Sequence, residues 1–166
     1  EFYKIKWNLI GEHNAQNAIS AIIACFELGV KIEDSCRALS LFQGVTRRLD
    51  LIYQTNDLSI YDDFAHHPTA IKKTLEGLRS SFSDSRIIAL IEMRSNTMKS
   101  GLHDEELNEA CKLADLLFWK SEDQEQEKKL IKMNPKKSNR ITNENMLFKA
   151  YPFMLYFDVE YYRTQN

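Results

Sequence analysis

The chain is short of glycine: its five lie at Gly11, Gly29, Gly44, Gly77 and Gly101, and none follows in the rest of its 166 residues. None of them opens or closes a G-x-x-x-x-G-K-S/T loop, so a nucleotide bound here must be held mainly by something else. Charge of one sign is missing too. With 22 Lys and Arg against 24 Asp and Glu, no global field draws the chain to nucleic acid or anionic lipid. Long apolar runs are absent: residues 87–91, one of the longer ones, fall far short of the ~20 residues needed to cross a bilayer. The first residues have no signal-peptide layout, so a soluble, cytoplasmic chain without membrane or nucleic-acid partners is expected. Cysteine is scarce: Cys25, Cys36 and Cys111 are an odd number without C-x-x-C spacing. Each falls on an expected helix among apolar neighbours, which favours core packing in a reducing compartment over a disulfide or zinc site.

A chain of this length holds one ordinary domain, or a small domain plus a piece of another. Ala15, Ala18, Ile19, Ile22, Ile23 and Phe26 recur at helical spacing and predict a helix over 14–28, with Gly29 at its C-terminal cap. A second helix is expected over 32–42, with Glu33 and Asp34 in the first turn, where the helix dipole favours negative charge. The two make a helical hairpin closing at Gly44. Past Arg48 the period changes: Leu49, Leu51 and Tyr53 alternate with polar residues, and Leu58, Ile60 and Tyr61 resume beyond an Asn56-Asp57 turn, which predicts a β-hairpin. Pro68 then opens a helix with Ile71, Leu75 and Leu78 on one face.

Residues 86–92 (RIIALIE) form a continuous apolar run, as expected of a strand buried on both faces. A polar loop over 93–102, a helix over 104–114 and a short strand over 116–119 follow. Alternation of this kind predicts an α/β domain with a mostly parallel sheet. The stretch 121–129 (SEDQEQEKK) reads as a solvated helix, 132–145 as a polar loop, and 146–162 as aromatic-rich without pattern.

In open α/β sheets ligands sit at the C-terminal ends of strands. The loops after Tyr61 and Glu92 leave such ends, and carry Asp62, Asp63, His66, His67, Glu92, Arg94, Asn96, Lys99 and His103. Three readings compete for the stretch YDDFAHHPT at 61–69. Asp and His suit zinc or manganese, although adjacent strand residues point to opposite faces and Asp62 and Asp63 could not easily share an ion. The residues ahead of Pro68 can cap the helix. The same helix N-terminus can seat an anionic ligand beside the imidazoles, with an aspartate accepting from sugar hydroxyls.

Four blocks, 11–18 (GEHNAQNA), 42–48 (FQGVTRR), 61–69 (YDDFAHHPT) and 91–99 (IEMRSNTMK), together resemble the Mur ligases. These are ATP-dependent amide-forming enzymes of bacterial cell-wall synthesis. The fourth block is similar to the murein peptide ligase branch, which joins UDP-N-acetylmuramate to the recycled tripeptide L-alanyl-γ-D-glutamyl-meso-diaminopimelate. The resemblance implies that residues 1–48 are the last helices of a central ATPase domain. Residues 49–166 would be the Rossmann-like C-terminal domain, divergent after residue 120.

It further implies that Asn14 and Asn17 serve the ATP site, a pair that spacing of three puts on one helix face. Arg48 would reach the phosphates as the catalytic cation, and Asp63 would bind the ribose. His66, His67 and Thr69 would lie near the reacting groups, and Arg94, Asn96 and Lys99 would meet the carboxylate-rich tripeptide. ATP and Mg2+ would be bound mainly by the N-terminal and central domains, which the resemblance makes partners of this chain and which supply the P-loop, the magnesium ligands and a modified lysine. This stretch alone is therefore expected neither to hydrolyse ATP nor to ligate. No family-like glycine-rich segment follows Trp119. A non-catalytic binding remnant, or a metal-dependent hydrolase using the Asp/His loop, are the competing expectations.

Overall fold

The computed structural model describes residues 2–56, 58–93, 96–140 and 153–158. Two helices come first, α1 (Glu12–Glu27) and α2 (Ile32–Leu41), forming the expected hairpin. The spacing that predicts α1 is right, but of its apolar residues only Ala18 is buried; Ile19, Ile23 and Phe26 form an exposed stripe one or two turns apart.

The hairpin is followed by β1 (Asp50–Gln54), β2 (Leu58–Asp62), α3 (Pro68–Ser81) and β3 (Arg86–Glu92). Next come α4 (Asn96–Lys99), α5 (Asp104–Ala110), β4 (Leu116–Lys120), α6 (Gln124–Met133), β5 (Ser138–Arg140) and β6 (Phe153–Asp158). The strands form one sheet in the order β1-β2-β6-β3-β4-β5. Strands β3, β4 and β5 pair in parallel, while β6 runs antiparallel between β2 and β3. Thus β2, β3, β4 and β5 share one direction, and the sheet is the α/β arrangement the alternating elements predict.

Five segments differ from expectation. The polar loop after β3 contains the single turn α4, and the helix expected over 104–114 ends at Ala110, where Cys111 and the turns to Ala114 return the chain to the sheet. In α6, read as solvated, Gln126, Glu127 and Leu130 are buried. The tails read as a polar loop and as patternless supply β5 and the central strand β6, whose register runs from Arg86 opposite Asp158 to Ile91 opposite Phe153.

The core lies between the sheet and α3, α5 and α6, where Ile71, Leu75, Leu78, Ile87, Leu107, Leu117, Trp119 and Leu130 are fully enclosed. Each such side chain contributes about 1.5–3 kcal/mol by leaving water. Cys36 and Cys111 are buried, Cys25 is half-buried, and all three are free thiols. At the foot of the sheet Arg79 donates to Asp115 Oδ2 at 2.7 Å, and the same oxygen accepts the Ile87 N–H at 2.7 Å, which fixes α3 against the start of β3.

Candidate functional site

The site grows from the exit of β2. Asp62 and Asp63 are both buried there, and neither is idle. Asp63 Oδ1 accepts the Ala65 N–H at 2.7 Å and Oδ2 accepts the Leu49 N–H at 2.9 Å. Asp62 Oδ2 lies 3.2 Å from Arg47 Nε, and the Phe64 N–H donates to the Arg47 carbonyl at 2.8 Å. The Arg47 guanidinium also stacks 4.9 Å from the Phe64 ring centroid.

These bonds hold a stretch that a free chain would avoid. Arg47 and Leu49 have φ of 60° and 50°, a left-handed conformation that costs an L-residue roughly 1–2 kcal/mol. Two carboxylates therefore clamp the connection between the helical hairpin and β1. Asp62 thus braces the loop, and Asp63 does so as well.

Burial pushes the Asp63 carboxyl above its ordinary pKa, partly opposed by the Ala65 and Leu49 donors and by the charges of Arg48 and His13. Burial raises Asp62 as well, against the charge and hydrogen bond of Arg47.

Capping operates at the head of α3. His67 is the N-cap, its Nδ1 accepting the Thr69 N–H at 3.3 Å, with Pro68 in the first turn. His66 Nδ1 lies 2.9 Å from the Phe64 carbonyl oxygen and so must donate. In their neutral forms the two imidazoles therefore present opposite Nε2 atoms, an acceptor on His66 and a donor on His67. The His67 ring meets the His103 ring at 5.4 Å, and His103 Nδ1 lies 2.6 Å from Glu106 Oε2. The loops after β2 and β3 thus converge, as their strand-end positions predict.

Between the helical hairpin and the β2–α3 turn lies a cleft of about 620 Å³. Asn14, Asn17, Arg48 and Asp63 all line it, so four residues scattered over fifty positions meet in one place. Asn14 Nδ2 is partly committed, donating to the Ile10 carbonyl at 2.8 Å. His13, Lys73 and Thr74 line the same cleft and were not singled out by the sequence. For Lys73 the available signal was its helical spacing from Ala70, which shares the lining. One wall, including Trp7, Leu9 and Phe42, is apolar, and the other carries cations around a buried carboxylate. That pairing suits a ligand with a flat apolar body, hydroxyls and anionic oxygens.

The remaining expected residues lie elsewhere. Thr69 lines a separate depression between α3 and α5. Lys99 Nζ pairs with Glu122 Oε2 at 2.6 Å. Arg94 lies outside the described residues; Asn96 belongs to α4 through its backbone, and its side chain is likewise outside them. Among the described residues no three His, Cys, Asp or Glu side chains are grouped as metal ligands. Among the same residues no helix is long and apolar enough to cross a membrane.

Residues 47–149 match the family profile described as "Mur ligase, glutamate ligase domain". Over 116 residues, 69% of its length, the chain is 47% identical to the UDP-N-acetylmuramate–L-alanyl-gamma-D-glutamyl-meso-2,6-diaminoheptandioate ligase of Haemophilus influenzae, of which it covers 26%. It is 46% identical to the ligase of the same description from Escherichia coli, covering 25% of it. The chain thus spans about a quarter of the length of these curated relatives. Among solved structures, a murein peptide ligase from Psychrobacter arcticus matches with 36% identity and a TM-score of 0.59, over 89% of this chain and 34% of that one. A UDP-N-acetylmuramate-alanine ligase from Thermotoga maritima shares the fold, with a TM-score of 0.71 at 23% identity over 90% of this chain and 34% of that one.

Proposed function

The chain belongs to the Mur ligase family, and on that premise we propose that it is the C-terminal part of an ATP-dependent ligase joining UDP-N-acetylmuramate to L-alanyl-γ-D-glutamyl-meso-diaminopimelate. The convergence of Asn14, Asn17, Arg48 and Asp63 on one cleft carries this reading. Residues 1–48 are the last helices of the ATPase domain and residues 49–166 the domain that closes over the nucleotide. The exposed stripe of Ile19, Ile23 and Phe26 supports that division, because it needs an apolar cover that a longer ATPase domain would provide.

In the cleft, ATP sits as a substrate with its ribose toward Asp63 and its phosphates toward Arg48. Arg48 offsets the negative charge that builds as the γ-phosphoryl passes to the muramate carboxylate. The acyl phosphate is then attacked by the tripeptide amine, which forms the amide and releases phosphate. His66 and His67 flank the reacting groups, one offering an acceptor and the other a donor. The tripeptide is the assigned partner of Arg94, Asn96 and Lys99, and one of its carboxylates exchanges with Glu122 for the Lys99 ammonium. Mg2+ would lie with the phosphates, held mainly by the preceding domain. The reaction takes place in the cytoplasm. The test is phosphate release from ATP by the longer protein: it should require muramate and tripeptide together, and release independent of the tripeptide would refute the reading.

A further inference from the structure

The segment 121–129 (SEDQEQEKK), charged in composition, contributes a buried amide. Gln126 is 6% exposed, and its amide is shared among three segments. Nε2 donates to the Met98 carbonyl of α4 at 2.6 Å and to Asp104 Oδ1, at the head of α5, at 3.0 Å. Oε1 accepts the Ser121 hydroxyl at 3.1 Å. Asp104 is 3% exposed, and its other oxygen lies 2.9 Å from Lys129 Nζ, one turn along α6 from Gln126.

The turn that Gln126 grips cannot hold itself. A four-residue helix has paid for nucleation without the propagation that would repay it, so α4 depends on tertiary bonds for its place. An apolar residue at position 126 would fill the same space without burying an amide, but it would leave the Met98 carbonyl and the buried Asp104 carboxylate without this donor. What the amide adds is direction: two N–H groups at a fixed angle specify where the Met98 carbonyl must lie relative to Asp104.

We propose that Gln126, seated by Asp104 and Lys129, is a positioning residue that sets the place of α4 and thereby of Lys99, which the proposed function assigns to the tripeptide. This rests on the reading of that loop as the peptide side of the ligase site. Gln126 touches no substrate; it acts through the Met98 carbonyl and the turn carrying Asn96 and Lys99.

The test uses the full-length protein. Gln126→Leu keeps the bulk and removes both donors; it should raise KM for the tripeptide about tenfold while leaving KM for ATP within about twofold, because a misplaced binding group costs only the ligand it meets. Lys129→Met, on an exposed side chain that can be lost without opening the core, should shift the tripeptide KM in the same direction by less, and Lys129→Arg should restore it. Hydrogen exchange at the Gly101 amide, which donates to the same Met98 carbonyl, should accelerate in Gln126→Leu. An unchanged tripeptide KM with unchanged Gly101 exchange would overturn the proposal. So would a parallel rise in both KM values that merely follows a lowered melting temperature. A wild-type protein inactive with tripeptide refutes the functional reading instead, and Gly101 exchange then decides the positioning role by itself.

Discussion

Asp63 Oδ2 accepts the Leu49 N–H across fourteen positions at 2.9 Å, and this bond keeps Leu49 at a φ of 50° that a leucine rarely adopts. The residue proposed to meet the ribose thus also fixes the connection on which the helical hairpin turns toward the sheet. Asp63→Ala leaves the Leu49 and Ala65 amides without their acceptor, at about 1–3 kcal/mol for each buried donor left unpaired. Urea unfolding should register a loss of about 3 kcal/mol, and Asp63→Asn, which keeps one acceptor, should lose less.

The same carboxyl carries a pH signature. Burial raises its folded pKa, so the folded state holds this proton more tightly than the unfolded chain does. The stability linked to this proton, distinct from that of the two accepted hydrogen bonds, is therefore complete below the unfolded value of about 3.9 and is lost as pH rises through the higher folded value. Carbon-detected titration should place the Asp63 midpoint above that of an exposed aspartate, and a midpoint at or below it would contradict the burial argument.

Gly77 sits inside α3, where an alanine would ordinarily stabilise a helix by about 0.8–1 kcal/mol. Here a Cβ would lie 2.9 Å from the Gly11 Cα, a backbone atom that cannot swing aside. Gly77→Ala should therefore lower the melting temperature despite its better helix propensity, by forcing the start of α1 away from α3. A rise would show that the two backbones do not approach this closely.

Arg48 is the cleft cation proposed to offset the charge that builds during phosphoryl transfer. Arg48→Ala in the full-length enzyme should lower kcat about a hundredfold or more with little change in melting temperature, as removal of one electrostatic stabiliser does elsewhere. Arg48→Lys should recover part of the loss, since it restores the charge without the fork of donors.

Much of this was legible in sequence because the signals were local. The run RIIALIE is a strand buried on both faces and reads as one, and Asn14 and Asn17 share the cleft because three positions bring them to one side of α1. The misses share a cause as well. Strand β6 is defined by partners in β2 and β3, from about sixty to a hundred positions earlier in the chain, and no periodicity within 146–162 encodes that pairing. Gln126 and Glu127 sit in a run of charges whose composition argues for water; their burial follows from what lies opposite. The strain at Arg47 and Leu49 carries no glycine to announce it and becomes visible only with the aspartates that hold it.

In the proposed reaction, phosphoryl transfer to the muramate carboxylate precedes attack by the peptide amine. With UDP-N-acetylmuramate labelled by oxygen-18 in its carboxylate and the full-length protein supplied with ATP and tripeptide, mass analysis of the released phosphate tests it directly. An acyl phosphate requires one labelled oxygen to leave with each phosphate formed. Amide formed with phosphate free of label, the second carboxylate oxygen leaving in water instead, would overturn that order of steps.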